Sequence, residues 1–176
     1  MNKQEITLSS QTIYSGKIVT LCCDQVALPN GKPAEREVVK HCGAIAVVPV
    51  LANGNIVMVR QYRYPVATEL LELPAGKIDG RETPEACVRR ELQEETGYIA
   101  GRIRKLAAIF TTPGFTDEVI HLYIAEDLTA SEQCPDEDEF LEVEIYSPEE
   151  IKRLIAGGDI KDAKTLTGLF LAGLQC

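Results

Sequence analysis

The sequence has no apolar run that approaches the roughly 20 residues a membrane-spanning helix needs. Its first five residues, Met-Asn-Lys-Gln-Glu, also lack the apolar stretch of a signal peptide. The six cysteines include no Cys-x-x-Cys pair and have no histidine cluster near them, so a structural zinc site is not expected. These absences predict a cytoplasmic protein with reduced thiols and no membrane partner.

Basic residues are the minority among the charged side chains. Lysine and arginine number 18 against 27 aspartates and glutamates, which gives a formal net charge of −9. This balance argues against a nucleic acid bound through a basic surface, although a small anionic substrate could bind with local help from arginines or a cation. The length of 176 residues suits one domain with a sizeable core and room for a small appendage.

The most specific pattern in the chain lies between Gly76 and Gly97. It consists of Gly76, five residues, Glu82, seven residues, and then Arg-Glu-Leu-Gln-Glu-Glu-Thr-Gly from Arg90 to Gly97. Within it, Thr83-Pro84 provides an N-cap and a proline at the first helical position. With Gly97 as the C-terminal stop, these signals predict a helix over 84–96 that follows a glycine-containing loop.

Three glutamates of this helix are predicted to share one stripe of its surface. At 100° per residue, Glu91 and Glu95 differ by 40°, and Glu94 lies 60° from Glu91 on the other side. Like charges placed this closely repel one another unless something positive lies between them. A glutamate pair alone is usually a solvated face, but the flanking glycines and the helix-start signal favour a site for a hard divalent cation.

The rest of the chain is predicted to be mostly strands. The first forty residues are typical of strands separated by turns, and residues 44–61 are predicted to form a hairpin. Further strands are predicted at 70–73, 102–110, 118–125 and 141–146, and helices at 147–156 and 164–174. Strands with a few separate helices predict an α+β fold built of sheet and helix layers.

The Gly76 to Gly97 pattern resembles the signature of the Nudix hydrolases, Gly-x5-Glu-x7-Arg-Glu-U-x-Glu-Glu-x-Gly-U, in which U is a bulky aliphatic residue. Tyr98 departs from the last position, and we expect it to pack into the core. Three further motifs resemble the ADP-ribose pyrophosphatase branch of that family: Arg60-Gln61-Tyr62-Arg63, Leu73-Pro74-Ala75-Gly76, and Pro113, sixteen residues after Gly97. The resemblance implies a Nudix-like α/β/α sandwich with a mixed sheet over 41–176, and an N-terminal antiparallel β appendage over 1–40 that forms a homodimer.

The resemblance also implies magnesium as the cofactor, with manganese able to replace it. The expected metal ligands are the carbonyl of Ala75 and the carboxylates of Glu91, Glu95 and Glu139. Glu137 is the favoured general base, and Glu139 or Glu94 are the alternatives. Arg90 is expected to orient Glu82 by an ion pair, and Gly76 and Gly97 to support the structure.

Substrate contacts are expected from Arg36, Arg63, Glu118 and Pro113. Forked arginine donors fit phosphate oxygens, Glu118 matches a position near the terminal ribose, and the downstream proline is associated with ADP-ribose preference. Alternatively, Pro113-Gly114 is only a turn and the charged groups belong to the solvated surface. Tyr14 or Tyr62 could hold the base, which the sequence leaves open.

These features predict magnesium-dependent hydrolysis of the pyrophosphate bond of ADP-ribose to AMP and ribose 5-phosphate. The partner would be a small molecule linked to a nucleoside diphosphate. The alternative substrates are another nucleotide sugar such as GDP-mannose, or a dinucleoside polyphosphate. A different class of function, a non-catalytic nucleotide sensor on the same fold, is disfavoured because all the glutamates of the signature are present.

Overall fold

A computed structural model of the chain describes residues 2–135 and 139–174. Its strands are β1 Ile6–Ser15, β2 Thr20–Ala27, β3 Pro33–Lys40, β4 Ala44–Pro49, β5 Ile56–Arg63, β6 Thr68–Glu72, β7 Ala75–Lys77, β8 Tyr98–Phe110, β9 Val119–Ala130 and β10 Leu141–Tyr146. Its α-helices are α1 Pro84–Thr96, α2 Pro148–Gly157 and α3 Ala163–Leu171, and a 3-10 turn at Tyr64–Val66 follows β5. The chain divides into two compact units. The first unit consists of the N-terminal segment as far as Gly43 together with Phe110–Val119, and the second consists of Ala44–Ile109 together with the chain from Ile120 onward.

The first unit contains a three-stranded sheet in the order β1-β2-β3. Both strand pairs are antiparallel, as expected for the N-terminal segment. The turn between β2 and β3 contains Gly31 with φ +80, a backbone conformation that glycine adopts without a steric penalty. Val39 of β3 forms a parallel bridge with Thr116, which joins the Phe110–Val119 segment to the sheet within this unit.

The second unit is a sandwich of helices and strands around a mixed sheet in the order β7-β4-β9-β8. Strand β4 pairs parallel with β9 and antiparallel with β7. The side chains of β4 are buried on both faces: Ile45 and Val47 belong to the core that includes Val88 and Leu92 of α1. On the other face, Val48 belongs to the core shared with α2 and α3. This double burial explains the continuous apolar run of β4 and confirms the α/β/α arrangement.

The predicted hairpin over 44–61 is wrong. Strands β4 and β5 lie in different sheets, because β5 pairs with β6 and β10 in a second sheet of order β10-β5-β6. Only a bridge between Val50 and Ile56 joins the two arms of the turn, among the pairings of the described residues. Strand β4 and the first half of β5, Ile56 to Val59, are apolar and buried on both faces. Each can therefore be covered by partners that lie far along the chain, and a short turn does not determine which strands pair.

The helix predicted over 84–96 is confirmed at both ends. The Thr83 hydroxyl oxygen accepts a hydrogen bond from the Ala86 amide at 3.2 Å, and Pro84 occupies the first turn. Gly97 ends the helix with φ +70, and its amide donates to the Gln93 carbonyl at 2.8 Å. As expected, Tyr98 packs against the apolar cluster beneath α1.

The C-terminal elements also follow the prediction, except that α3 ends at Leu171 and not at residue 174. Strand β10 has the predicted bounds, and β8 and β9 are neighbours in the mixed sheet. Ser147 begins α2 with a capping box, in which its side chain and that of Glu150 bond each other's backbone. In the described part of the chain, no helix is both long and apolar enough to cross a membrane.

Candidate active site

Strand β7 is in direct contact with the glutamates of α1, so Gly76 lies in a strand and not in the loop that the sequence predicted. Gly76 pairs with Ile45 in the mixed sheet, and a Cβ atom at Gly76 would lie only 1.8 Å from Oε1 of Glu91. The Glu91 carboxylate therefore occupies the space that a side chain at position 76 would fill. One residue earlier, the amide of Ala75 donates to Oε2 of Glu95 at 3.0 Å. The β7 backbone thus fixes the positions of two carboxylates on successive turns of α1.

Burial makes both carboxylates unusually basic. Glu91 and Glu95 are 7% and 2% exposed. Burial raises the pKa of Glu91 to about 7, with Arg90 acting against the rise and the charges of Glu94 and Glu139 adding to it. Burial also raises the pKa of Glu95 to about 8, with the Ala75 amide opposing the rise and Glu91 and Glu139 adding to it. Near neutral pH, protons and a cation therefore compete for these oxygens.

Arg90 joins three carboxylates of the loop and the helix. Its Nε and Nη2 donate to the two oxygens of Glu82 at 3.1 and 3.0 Å, the pair expected from the resemblance. Its Nη1 also donates to Glu91 at 2.7 Å and to Glu94 at 2.9 Å, contacts that were not expected. Glu82 foremost, and the other two glutamates with it, raise the pKa of the guanidinium, so Arg90 stays charged. This cation partly offsets the repulsion within the glutamate stripe.

The residues present fit a magnesium ion. Glu91 and Glu95 supply carboxylate oxygens as ligands. The absence of a side chain at Gly76 leaves the space that the Glu91 carboxylate occupies, which we call the Gly76 cradle. Within residues 2–135 and 139–174, no three acidic, histidine or cysteine side chains form a ready-made metal cluster. Two carboxylates with the remaining positions left to water and substrate oxygens are the arrangement that magnesium prefers in phosphate-handling proteins.

The acidic segment before β10 contributes at least one charge to this region. Glu139 raises the pKa of both Glu91 and Glu95, behind the larger effect of burial, so its carboxylate acts on both. Glu137, the favoured general base, lies outside the described residues. The choice among Glu137, Glu139 and Glu94 therefore stays a prediction.

Arg63 of β5 lies in a charge network that the sequence interpretation missed. Its Nε and Nη2 donate to the two oxygens of Glu72 at 2.8 and 2.7 Å. Nζ of Lys164 also donates to Glu72, at 2.5 Å. Glu72 foremost, and Glu95 through its charge, raise the pKa of the Arg63 guanidinium. A glutamate inside the apolar run Leu70-Leu71-Glu72-Leu73 was the available signal for this network.

The other predicted substrate residues lie in the first unit. Arg36 forms a forked ion pair with Glu5, with distances of 3.0 and 2.7 Å. Glu118 accepts a hydrogen bond from the Thr111 hydroxyl at 2.8 Å. Pro113 is at the exposed tip of a turn that the Phe115 amide closes on the Thr112 carbonyl at 3.2 Å. Their roles toward a substrate stay predictions.

A mixed-sheet sandwich in which a helix places two buried glutamates against strand β7 has the oxygen ligands that a hard divalent cation takes. The sequence matches the family described as NUDIX domain over residues 40–168. Residues 5–39 match the family described as nucleoside diphosphate sugar hydrolase N-terminal domain. The chain belongs to the Nudix family of hydrolases.

Similar proteins extend over nearly the whole chain. An ADP-ribose pyrophosphatase of Bacillus subtilis (strain 168) is 44% identical over 92% of this chain and 89% of its own length. A methanol dehydrogenase activator of Bacillus methanolicus is 41% identical over 98% of this chain and 94% of its own length. The crystal structure of an ADP compounds hydrolase superposes with a TM-score of 0.85 over 97% of this chain and 92% of its own, at 22% sequence identity. The last likeness confirms the fold.

Proposed function

We propose that the protein hydrolyses the pyrophosphate bond of ADP-ribose, giving AMP and ribose 5-phosphate, with magnesium as its cofactor. The observation that carries this proposal is the buried Glu91–Glu95 pair, held by the Gly76 cradle and the Ala75 amide. The substrate is supported by the similarity to an ADP-ribose pyrophosphatase along 92% of the chain. The Pro113 marker of the sequence agrees with that substrate.

In this mechanism the side chains of the protein hold the metal ion, orient the substrate and accept a proton from the attacking water. Glu91 and Glu95 would hold the ion, together with the carbonyl of Ala75 and with Glu139. Magnesium, when bound, lowers the pKa of coordinated water and neutralises charge on phosphate oxygens. Arg90 helps to fix the carboxylate of Glu91, since its Nη1 donates to Oε1 of that carboxylate at 2.7 Å.

The substrate would be held by arginines and attacked by water. The edge of the Arg63 guanidinium that carries Nη1, which Glu72 does not occupy, is proposed to contact the pyrophosphate, and Arg36 is proposed as a second phosphate contact. Glu118 is proposed to contact the terminal ribose. A carboxylate accepts the proton of the attacking water; Glu137 is our first choice, and Glu139 and Glu94 are the alternatives.

A substrate panel tests this function. Purified protein with magnesium is expected to release AMP and ribose 5-phosphate from ADP-ribose with a kcat/KM at least about tenfold above that for GDP-mannose or a diadenosine polyphosphate. EDTA should abolish turnover, and manganese should restore it. The magnesium concentration that gives half the maximal rate should decrease as the pH is raised from about 6.5 to about 8.5. Over this range Glu91 and Glu95 lose the protons that compete with the ion. A preference for another compound of the panel would contradict the ADP-ribose proposal but keep the site.

We further propose that the protein is a homodimer formed through its N-terminal strands. Strand β1 exposes large apolar side chains, among them Ile6 at 63% and Leu8 at 62%. Several exposed apolar side chains on one strand favour a covering partner, and a second copy of the chain would cover them. Light scattering should give twice the mass of one chain, and Leu8→Glu should shift the mass toward that of a monomer. A monomeric wild-type protein would refute the proposal.

A further inference from the structure

Glu72 is a buried carboxylate held between two cations from different elements of the second unit. It ends strand β6 and is 1% exposed. Arg63 of β5 donates hydrogen bonds to both of its oxygens. Lys164 of α3 donates to Oε2 of Glu72 and, at 3.0 Å, to Asp162. Burial alone would raise the pKa of Glu72, but the two cations bring it below the ordinary value, so the group is ionised. The two cations, Arg63 and Lys164, are thus balanced by the two carboxylates, Glu72 and Asp162. Loss of the Glu72 charge would leave this network with a net positive charge.

The fork leaves one edge of the Arg63 guanidinium for another acceptor. Glu72 takes the edge that carries Nε and Nη2, and Nη1 belongs to the opposite edge of the planar group. The Arg63 side chain is 40% exposed, whereas its partner carboxylate is buried. The guanidinium of Arg63 is thus held by the buried Glu72 carboxylate on one edge, and a ligand can reach its exposed part from solvent.

The position of Glu72 is set by α3. The amide of Leu73 donates to the Thr165 hydroxyl oxygen at 2.9 Å, and that hydroxyl donates to Asp162 at 2.6 Å. Helix α3 also packs closely on the strand, because a Cβ atom at Gly168 would lie 2.6 Å from Cδ1 of Leu73. Two residues after Leu73, the Ala75 amide contacts Glu95. Glu72 therefore directly precedes a backbone segment, Leu73 to Ala75, that is fixed at both ends.

We propose that Glu72 is a positioning residue, which fixes the guanidinium of Arg63 so that its outer edge can bind the pyrophosphate of the substrate. This inference rests on the proposed function, because it assigns Arg63 to the nucleoside diphosphate. Lys164 has the different task of balancing the buried charge and anchoring α3. Glu72 acts through Arg63 and does not itself touch the substrate.

Substitutions at the two partners of the network separate positioning from stability. Glu72→Gln leaves Arg63 without its charged partner, whereas Lys164→Met keeps the forked pair and removes the cation of α3. Both changes should lower the melting temperature, because each leaves a buried group of the network without its opposite charge. Only Glu72→Gln should weaken substrate binding.

The test is calorimetric binding of ADP-ribose in EDTA, where no turnover occurs. Glu72→Gln and Arg63→Ala should each weaken the affinity by about tenfold, the size expected for lost hydrogen bonds to a charged group. The double variant should bind like Arg63→Ala alone, because Glu72 acts through Arg63. Lys164→Met should stay within about twofold of the wild-type affinity. In magnesium, Glu72→Gln should raise KM and leave kcat nearly unchanged.

Three outcomes would overturn the inference. They are normal binding by Glu72→Gln, equal weakening by Glu72→Gln and Lys164→Met, and a further loss when Glu72→Gln is added to Arg63→Ala. If Glu72→Gln does not fold, the charge-balanced Glu72→Gln/Lys164→Met variant replaces it in the same comparison.

The proposed function is tested separately by wild-type turnover. If the wild type does not hydrolyse ADP-ribose, the substrate proposal fails, and inorganic pyrophosphate becomes the binding probe for the same variants. If the wild type does hydrolyse ADP-ribose but Glu72→Gln binds it normally, only the role of Glu72 is refuted.

Discussion

Glu95→Gln is expected to lower kcat for ADP-ribose hydrolysis by about three orders of magnitude, equivalent to about 4 kcal/mol of barrier. The amide oxygen of glutamine can still accept the Ala75 hydrogen bond, so β7 should keep its position. The lost group is a negative charge at a site that is 2% exposed, and a neutral amide is a much weaker magnesium ligand. Steady-state kinetics over a range of magnesium concentrations measure this effect.

The same substitution should not destabilise the metal-free protein. Burial raises the pKa of Glu95 to about 8 in the folded protein, above its value in the unfolded chain. Ionisation of Glu95 therefore destabilises the folded state, and this cost grows as the pH rises from the pKa of the unfolded chain to that of the folded protein. Replacing the group with a neutral amide removes that cost. The melting temperature in EDTA at about pH 8.5 should therefore be equal to or above that of the wild type.

A second glutamate of the same helix provides the matched control. Glu85 lies in the first turn of α1, is largely exposed, and pairs with Arg89 at 3.9 Å. Glu85→Gln should keep activity within about twofold, because an exposed pair of this kind contributes little. If Glu95→Gln were as active as Glu85→Gln, the metal site would be refuted. A sensor without catalysis would show no wild-type turnover and would keep its ligand affinity in Glu95→Gln.

The helix of the site was predictable because its signals are local. Thr83, Pro84 and Gly97 act on backbone groups within one turn of themselves, and the helix has the bounds they indicate. The ion pair between Arg90 and Glu82 came from the resemblance. Its extension to Glu94 follows the i,i+4 spacing, which the sequence also displays.

Contacts between distant parts of the chain could not be predicted. Strands β4 and β5 have apolar residues on both faces, and such runs do not specify their partners, which is why the hairpin prediction failed. The Glu72–Lys164 ion pair joins residues 92 positions apart, and periodicity carries no information about such a pair. A charged residue within an apolar strand does indicate that a partner must exist, because an unpaired buried carboxylate is costly. The sequence can therefore show that Glu72 needs a cation, although it cannot show which one.

Gly76→Ala is expected to lower activity by about two orders of magnitude, the cost of moving a reacting group by about 1 Å. A Cβ atom at this position would lie 1.8 Å from Oε1 and 1.9 Å from Cδ of Glu91. The Glu91 carboxylate is the end of a flexible side chain, so it can move aside and the fold should survive with a small loss of stability. The displaced carboxylate, however, would leave the position from which it binds the ion. Activity and thermal melting, measured on the same sample, separate these two effects.

Two controls show whether the displaced carboxylate causes the loss. Gly157→Ala adds the same methyl group in α2, where it would meet the side-chain oxygen of Asp159 at 3.1 Å, and should leave activity unchanged. In a Glu91→Gln background, Gly76→Ala should cost little more, because the group that it displaces is already inactive as a ligand. A full further loss in that background would mean that the methyl group acts on the β7 backbone and not on Glu91. The cradle at Gly76 would then be a structural requirement of the sheet, separate from ion binding.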